Sequence, residues 1–289
     1  MIQFANEHTA PLVRQMWKTC FEDTDEFLDI YFHYKYKDEN TLIYFEGDEA
    51  VASLQMLPYT ITFYEETIPF AYLAGLCTLP EHRKKGYMAK LIDEAHRIIA
   101  KRNIPLSILI PAEDWLYGFY EKYGYVQVFA QDNKLIPLKE IIDQYPNARE
   151  AYETFDSLFR FKDFCVQKTE KDFEAIVEEY KSDGLPPKTN LPGMARIIDV
   201  FEVLKLYAKD NLSKQFRLKV DDNQTGNTSA YYIKGGKVEL ILNSNVAVDI
   251  EIDIRMLCRL LFGYRITELD NEFRAFFEEH HPVMNLMLE

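Results

Sequence analysis

The chain has 289 residues, 47% of them hydrophobic, which is enough for two domains that each have a core. Its formal net charge of −14 argues against a nucleic-acid partner, because binding to phosphate backbones requires a basic surface. The four cysteines are scattered without metal-ligand spacing, so we expect buried free thiols and no metal. We find neither a signal-peptide pattern nor an apolar run of membrane-spanning length, and we expect a cytoplasmic protein.

The first 133 residues alternate between helical and extended patterns. Thr9 and Pro11 predict the start of a first helix, and a second helix follows Thr24. Further helices are predicted from about Gly86 to Arg102 and over 113–122. The predicted strands cover 41–47, 50–64, 71–79, 105–111 and 125–131. This order predicts an α/β (α+β) fold in which helices flank a mixed sheet.

The rest of the chain divides at a segment with three prolines, 185–193, which indicates a linker. Three helical patterns lie in the connecting segment before it, and a smaller α+β domain is predicted after it. That domain begins with an amphipathic helix over 194–208 and contains a tight hairpin at Gly235-Gly236. Its other predicted elements are strands over 216–220, 229–234, 237–242 and 246–254 and a helix over 255–263. The predicted domains are therefore 1–133 and 191–289, joined by a connecting helical segment over 134–190.

An apolar strand over 71–79 runs directly into Arg83, Lys84, Lys85 and Gly86, and a helix follows at once. We call residues 83–89 the anion loop, because consecutive backbone N–H groups at a glycine turn and a helix N-terminus bind anions. Because the chain as a whole is acidic, this basic segment is a local feature rather than part of a general basic character. A generic strand–turn–helix with surface lysines is the alternative interpretation.

The anion loop and the segment GFYEKYGYV at 118–126 together resemble two motifs of the GCN5-related N-acetyltransferase (GNAT) family. The resemblance covers about residues 1–133 and implies acetyl-CoA as co-substrate. In that family the strand backbone before the loop pairs with the pantetheine arm, and the loop amides hold the pyrophosphate. Met88 departs from the pattern, because glycine or alanine is usual there. The cofactor-binding residues that the resemblance implies are Leu76, Cys77, Thr78, Arg83, Lys84, Lys85, Gly86, Tyr87, Met88 and Ala89.

The same resemblance implies that Tyr120 is the general acid, since the family's tyrosine at this motif lies near the sulfur of coenzyme A. A phenol O–H suits this role, because a thiolate leaves when the tetrahedral intermediate collapses. An ordinary core aromatic is the alternative for Tyr120. The implied reaction transfers an acetyl group to a primary amine by direct attack, without a covalent enzyme intermediate.

Residues 191–289 resemble the sterol-carrier-protein-like C-terminal domain of the enhanced-intracellular-survival (Eis) acetyltransferases. Members of that family also have a second, degenerate acetyltransferase domain, for which residues 134–190 are too few. Their terminal carboxylate serves as general base, and the resemblance gives this role to the α-carboxylate of Glu289. A frayed terminus is the alternative. The apolar residues that favour docking instead are Val283, Met284, Leu286 and Met287.

The acceptor implied by this resemblance is an amine on a small molecule or a peptide. Two sets of side chains are candidates for its pocket. An aromatic set, for which plain core packing is the alternative, is Trp17, Phe21, Phe27, Tyr31 and Phe32. An acidic set, for which a solvated acidic turn is the alternative, is Glu22, Asp23, Asp25 and Glu26. Related proteins associate, so a homo-oligomer is one expectation, and its alternative is that the shortened segment 134–190 lacks the contacts for association. A non-catalytic protein that binds acyl-CoA or a lipid is the competing hypothesis.

Overall fold

The computed structural model describes residues 1–242 and 246–288, with Asn227 described by its backbone alone. Eight strands of this part form one large sheet. They are β1 (Ile2–Phe4), β2 (Thr41–Glu46), β3 (Glu49–Phe63), β4 (Glu66–Thr78), β5 (Leu106–Leu109), β6 (Val126–Phe129), β7 (Cys165–Gln167) and β8 (Gly193–Ile197). Their order is β1-β2-β3-β4-β5-β8-β6, and β7 pairs with β3. The β4–β5 pairing is parallel and the other described pairings of this sheet are antiparallel, so the sheet is mixed, as the sequence predicted.

Helices flank this sheet on both faces. Helices α1 (Ala10–Phe21) and α2 (Asp25–Tyr34) pack on one face, and α3 (Tyr87–Lys101) and α4 (Asp114–Glu121) pack on the other. Alternation along the strands supplies both cores, since neighbouring residues of a strand point to opposite faces. The apolar face of α3 buries Leu91, Ile92, Ala95, Ile98 and Ile99. The expected α/β architecture is therefore confirmed.

Three further helices follow in the predicted connecting segment: α5 (Leu138–Gln144), α6 (Ala148–Ser157) and α7 (Glu170–Ser182). They enclose a separate apolar cluster that includes Phe155 and Phe173. Thr169 begins α7 with a capping box, because its hydroxyl accepts from the N–H of Asp172 while the Asp172 carboxylate accepts from the N–H of Thr169. None of the described helices is long and apolar enough to cross a membrane.

A second sheet of four strands lies in the C-terminal part of the chain. After α8 (Val200–Asp210), its strands are β9 (Gln215–Asp222), β10 (Asn227–Lys234), β11 (Lys237–Ile241) and β12 (Ile250–Asp253), in the order β11-β10-β9-β12. The predicted hairpin is present, with positive φ at Gly235 and Gly236. Helices α9 (Ile254–Leu261) and α10 (Asn271–Arg274) follow. The Cys258 thiol of α9 donates to the Ala195 carbonyl of β8 over 3.5 Å, so the two sheets share one core.

The helix predicted over 194–208 is wrong in its first part. Residues 193–197 form β8, which lies between β5 and β6, and the helix begins only after Asp199, whose carboxylate accepts from the N–H of Glu202. All five residues of β8 are buried, and a fully buried strand reads as a continuous apolar run that periodicity does not distinguish from a helix. The large sheet therefore takes a strand from beyond residue 190, where the sequence placed a domain boundary. The predicted strand over 246–254 is likewise shorter, covering Ile250–Asp253.

Candidate active site

The site lies where two parallel strands separate. Strands β4 and β5 pair through three residue pairs that end at Tyr72 and Ile108. Beyond this point β4 continues to Thr78 without β5 beside it, and a cleft of about 230 Å³ opens between them. The backbone of β4 over 73–76 forms one wall, and Ile110, Ala112 and residues of α4 form the other. An open strand edge of this kind offers backbone N–H and C=O groups to a ligand.

A bulge in β4 shapes the floor of this cleft. The β3–β4 register shifts between Ser53 and Gln55, and Gly75 on the bulged strand has a φ of +57°. The Trp17 ring of α1 lies directly on Gly75, because a Cβ built there would be 2.0 Å from the ring. Only glycine satisfies both conditions at this position. Trp17 is itself buried, and its indole N–H has no hydrogen-bond partner among the described residues.

The anion loop has the backbone geometry that the sequence predicted. Lys84 and Gly86 have φ of +64° and +79°, and Gly86 occupies the cap position of α3 without a side-chain cap. The first N–H groups of a helix have no intrahelical acceptor, so this end of α3 presents free donors and the positive end of its dipole. Nothing lies within 4 Å of a Cβ built on Gly86, and the space in front of these amides is open.

Glu46, which the sequence analysis missed, organises the loop from the end of β2. Its carboxylate accepts hydrogen bonds from Tyr87 and from His82, the latter over 2.9 Å, and it pairs with Lys85 over 3.4 Å. The bond to Glu46 raises the pKa of the Tyr87 phenol to about 12. The Tyr87 ring is buried and stacks on Tyr44. No local signal could have revealed Glu46, because it lies 41 positions before Tyr87 in the chain.

The predicted cofactor-binding residues therefore fall into groups according to whether they expose a side chain to a ligand or only their backbone. The Cys77 thiol is buried against Ser53, and Tyr87 turns toward the sheet, so these two residues offer only their backbone to a ligand. Arg83 donates from Nε to the Thr78 carbonyl over 3.2 Å and ties the loop to the end of β4. The side chains exposed around the loop are Arg83, Lys84 and Lys85, while Leu76, Thr78, Met88 and Ala89 are partly buried.

One group near the loop has the composition of a metal site. Glu49, Glu81 and His82 place ligand atoms within 4.8 Å of one another. The imidazole of His82 already bonds Glu46 and lies 3.6 Å from Glu49, so both of its ring nitrogens have partners near the loop. These side chains serve the loop's architecture.

Tyr120 lies on α4 with its side chain in the wall of the cleft. The residue is only 6% exposed, and burial raises the pKa of its phenol. The phenol therefore keeps its proton at neutral pH and is able to donate it. The Tyr120 ring packs 6.0 Å from the ring of Tyr125, whose hydroxyl bonds Ser107 over 2.6 Å and His96 over 3.0 Å. This hydrogen-bonded group supports α4 from within the core.

The aromatic candidates of α1 and α2 lie on the side of the cleft across from Tyr120. Trp17, Phe21, Phe27 and Tyr31 line it, whereas Phe32 packs behind them. Of the four acidic candidates, Asp23 lines the cleft, and Asp25 instead pairs with Lys18 over 2.7 Å. Burial raises the pKa of the Asp23 carboxyl, and no lysine or arginine of the described residues pairs with it. An acidic side chain without a countercharge in an aromatic cleft favours a cationic ligand.

The C-terminal segment 283–288 also reaches this cleft, where Leu288 lies in the wall with Tyr120. The segment is buried from Met284 to Leu288. Its backbone bonds to β7 and to the segment before β8, through Val166 N–H to the Val283 carbonyl at 3.0 Å and Leu191 N–H to the Met284 carbonyl at 2.8 Å. Glu289, the predicted general base, lies outside the described residues.

Comparison with known proteins identifies the first part of the chain. Residues 2–128 match the family model of the acetyltransferase (GNAT) domain. In fold, the chain resembles a probable N-acyltransferase from Enterococcus faecalis V583, with 15% identity, a TM-score of 0.67 and 99% of each chain covered. It also resembles Eis1 from Mycobacterium abscessus, with 12% identity and a TM-score of 0.64, covering 100% of this chain and 99% of that one. No curated protein matches the sequence.

Residues 2–128 therefore form an acetyltransferase (GNAT) domain, and the chain is an acetyltransferase with acetyl-CoA as its co-substrate. The resemblance stated for residues 1–133 is confirmed. At 12% and 15% identity, the likeness to the two solved structures shows the fold alone, but it extends over both sheets. The likeness of residues 191–289 to a sterol-carrier-like domain stays a prediction.

Proposed function

We propose that the protein is an acetyl-CoA-dependent N-acetyltransferase whose acceptor is a primary amine. The observation that carries the proposal is the convergence of Tyr120, Asp23 and Leu288 on one cleft beside the open edge of β4. The cleft joins a proton donor, a carboxylate suited to a cation and the strand edge expected to bind pantetheine. A second ligand that enters opposite the thioester would meet all three.

Acetyl-CoA would lie along β4 with its pyrophosphate at the anion loop. The backbone of Leu76, Cys77 and Thr78 would pair with the pantetheine arm, and the amides from Lys84 to Ala89 would hold the pyrophosphate. The uncapped N-terminus of α3 and the open space at Gly86 support this assignment, since a side chain there would fill the approach to the amides. Met88 is compatible with it, because this position contributes an N–H rather than a side chain.

The transfer itself is a direct displacement. The amine nitrogen attacks the thioester carbonyl carbon, the N–C bond forms, and the C–S bond breaks as the tetrahedral intermediate collapses. Tyr120 donates its phenolic proton to the departing sulfur, and solvent then reprotonates the phenolate. The proton released by the amine passes to a base, for which the α-carboxylate of Glu289 is the candidate implied by the resemblance. The position of Leu288 in the cleft wall supports that role.

The acceptor side of the cleft favours an amine attached to an apolar body. Asp23 would attract the ammonium group, and the aromatic wall would pack against the rest of the molecule. Small-molecule amines and the amino groups of peptides both meet this description. A charge-neutral acceptor would leave the Asp23 carboxylate unpaired and would bind more weakly.

Calorimetric titration with acetyl-CoA and a screen of amine acceptors for coenzyme A thiol release test the proposal together. We expect acetyl-CoA to bind with a micromolar Kd and thiol release to depend on a primary amine. Binding without amine-dependent thiol release across small amines, aminoglycosides and lysine peptides would instead favour the non-catalytic acyl-CoA-binding hypothesis. Failure to bind acetyl-CoA at all would overturn both.

A further inference from the structure

A buried lysine contacts the C-terminal segment three residues before the segment reaches the cleft. Lys168 follows β7 and is 6% exposed, and its Nζ donates to Oδ1 of Asn285 over 2.6 Å. Asn285 is fully buried, and its Nδ2 donates to the Val166 carbonyl over 2.9 Å. The side chain of Asn285 is thus held from both ends by one short stretch of chain.

These bonds are placed to control where the segment ends. Among the described residues, the backbone bonds of the segment to its neighbours stop at Met284, and Asn285 is the last one with a polar anchor. From Asn285 to Leu288 the chain can extend by about 10 Å at most. A change in the position of Asn285 is therefore passed directly to Leu288 and to the cleft wall.

The lysine is a costly residue for this place. Burial lowers the pKa of Lys168 to about 7, although the nearby Asp172 carboxylate opposes that shift. An apolar side chain of similar length would fill the same space without the desolvation penalty. Lys35 offers a contrast within the same cluster: it lies 4.5 Å from the centroid of the Tyr59 ring, against 5.5 Å for Lys168, and pairs with Asp172. Of these two ammonium groups, the one that bonds the C-terminal segment is that of Lys168.

We infer that Lys168 and Asn285 are positioning residues that fix the depth at which residues 286–288 enter the acceptor cleft. The inference rests on the proposed function for its kinetic consequence, since the cleft wall at Leu288 is where the acceptor would bind. Its structural consequence, the order of the C-terminal segment, does not depend on the proposed function.

The variants Lys168→Met and Asn285→Leu test this inference, with Lys35→Met as the matched control. Hydrogen exchange followed by mass spectrometry reports the order of residues 283–288. We expect exchange about ten-fold faster in the two test variants and unchanged exchange in the control. Where Asn285→Leu fails to fold, Asn285→Asp replaces it, because it keeps the oxygen that accepts from Lys168 and removes the donor to Val166. For Asn285→Asp we expect a smaller increase.

Kinetics separate a positioning role from general support of the fold. We expect kcat/KM for the amine to fall about 10- to 100-fold in Lys168→Met, with the acetyl-CoA Kd unchanged, because a small misplacement of a reacting site has effects of this size. In a chain that stops after Asn285, Lys168→Met should have no further effect on kcat/KM. An undiminished effect in that shortened chain, or wild-type exchange in the test variants, would overturn the inference. If no amine is acetylated, the proposed function fails while the exchange data still decide this one.

Discussion

The anion loop and the acceptor cleft are assembled in opposite ways. The loop consists of residues 83–89, it is mostly exposed, and its working groups are backbone amides at the start of one helix. The cleft takes side chains from α1, α2, β4, α4 and the C-terminal segment, and most of them are buried or partly buried. A contiguous site can be recognised from a short motif, whereas an assembled site becomes visible only once the chain is folded.

This difference has consequences for substitution. A site made of amides tolerates changes of side chain except where the backbone requires glycine or where a side chain would occupy the ligand's space. A site made of side chains depends on the chemistry of each one. We therefore expect a substitution at one position of the loop to have a severe effect, and substitutions in the cleft to have effects of graded size.

Gly86→Glu is the severe change in the loop. The residue has a φ of +79° and open space in front of its Cα, and a glutamate there would put strain and negative charge where the pyrophosphate is expected. We expect the affinity for acetyl-CoA to fall about 1,000-fold, since like charges brought together cost several kcal/mol. Isothermal titration measures this directly.

Gly184→Glu is the matched control for that experiment. Gly184 has a φ of +77°, and nothing lies within 4 Å of a Cβ built on it, so the backbone strain and the added charge are similar. We expect this variant to bind acetyl-CoA as the wild type does. Equal losses of binding in both variants would mean that fold stability, and not the anion loop, explains the result.

Tyr120→Phe tests the proton donor of the cleft. The substitution keeps the buried ring and removes the hydroxyl, so acetyl-CoA affinity should not change. We expect kcat to fall about 100-fold, which is typical of losing a general acid. Tyr123→Phe is the control, because Tyr123 packs against Phe119 outside the cleft. Undiminished turnover in Tyr120→Phe, measured by thiol release, would remove Tyr120 from the mechanism.

What the sequence predicts correctly follows the same division. The strand, turn and helix around Gly86 are encoded by neighbouring residues, and so is the short helix that carries Tyr120. Glu46 and Lys168 were missed because each acts on a residue more than 40 positions away. Strand β8 was mistaken for helix because apolar clusters cover both faces of the sheet there, so all five of its residues are buried and no alternation appears in the sequence. Composition and local periodicity do not contain these pairings.

Asp23→Asn tests whether the acceptor side of the cleft recognises charge. Asp23 has no cationic partner among the described residues, so an acceptor ammonium would be its countercharge. We expect KM for a cationic amine to rise about ten-fold, which corresponds to about 1.4 kcal/mol, with little change in kcat. Glu26→Gln, at an exposed position of α2, should leave KM unchanged. Equal effects of the two variants would indicate long-range attraction by the acidic turn rather than contact with Asp23.

The smallest expected effect concerns a residue that is connected to both regions but belongs to neither. His96 lies on α3, which begins at the anion loop, and it bonds Tyr125, whose ring packs beside Tyr120. Burial, together with the charge of Arg196, lowers the pKa of His96 to about 3. Below pH 6.5 the unfolded chain takes up a proton that the folded chain refuses, so stability falls as the pH drops from 6.5 toward 3.

Because the His96 ring keeps some exposure, we expect only a modest part of its pKa shift to appear as a change in the free energy of unfolding. Between pH 7 and pH 4.5 the wild type should lose about 2–4 °C more in Tm than His96→Gln, which corresponds to roughly 1 kcal/mol. His8→Gln, at an exposed position, should follow the wild type. If acetyl-CoA affinity and kcat decline together over the same pH range in the wild type but not in His96→Gln, α3 couples the loop to the cleft. If only kcat declines, the two regions are independent, and they differ in their response to pH as well as in how they are assembled.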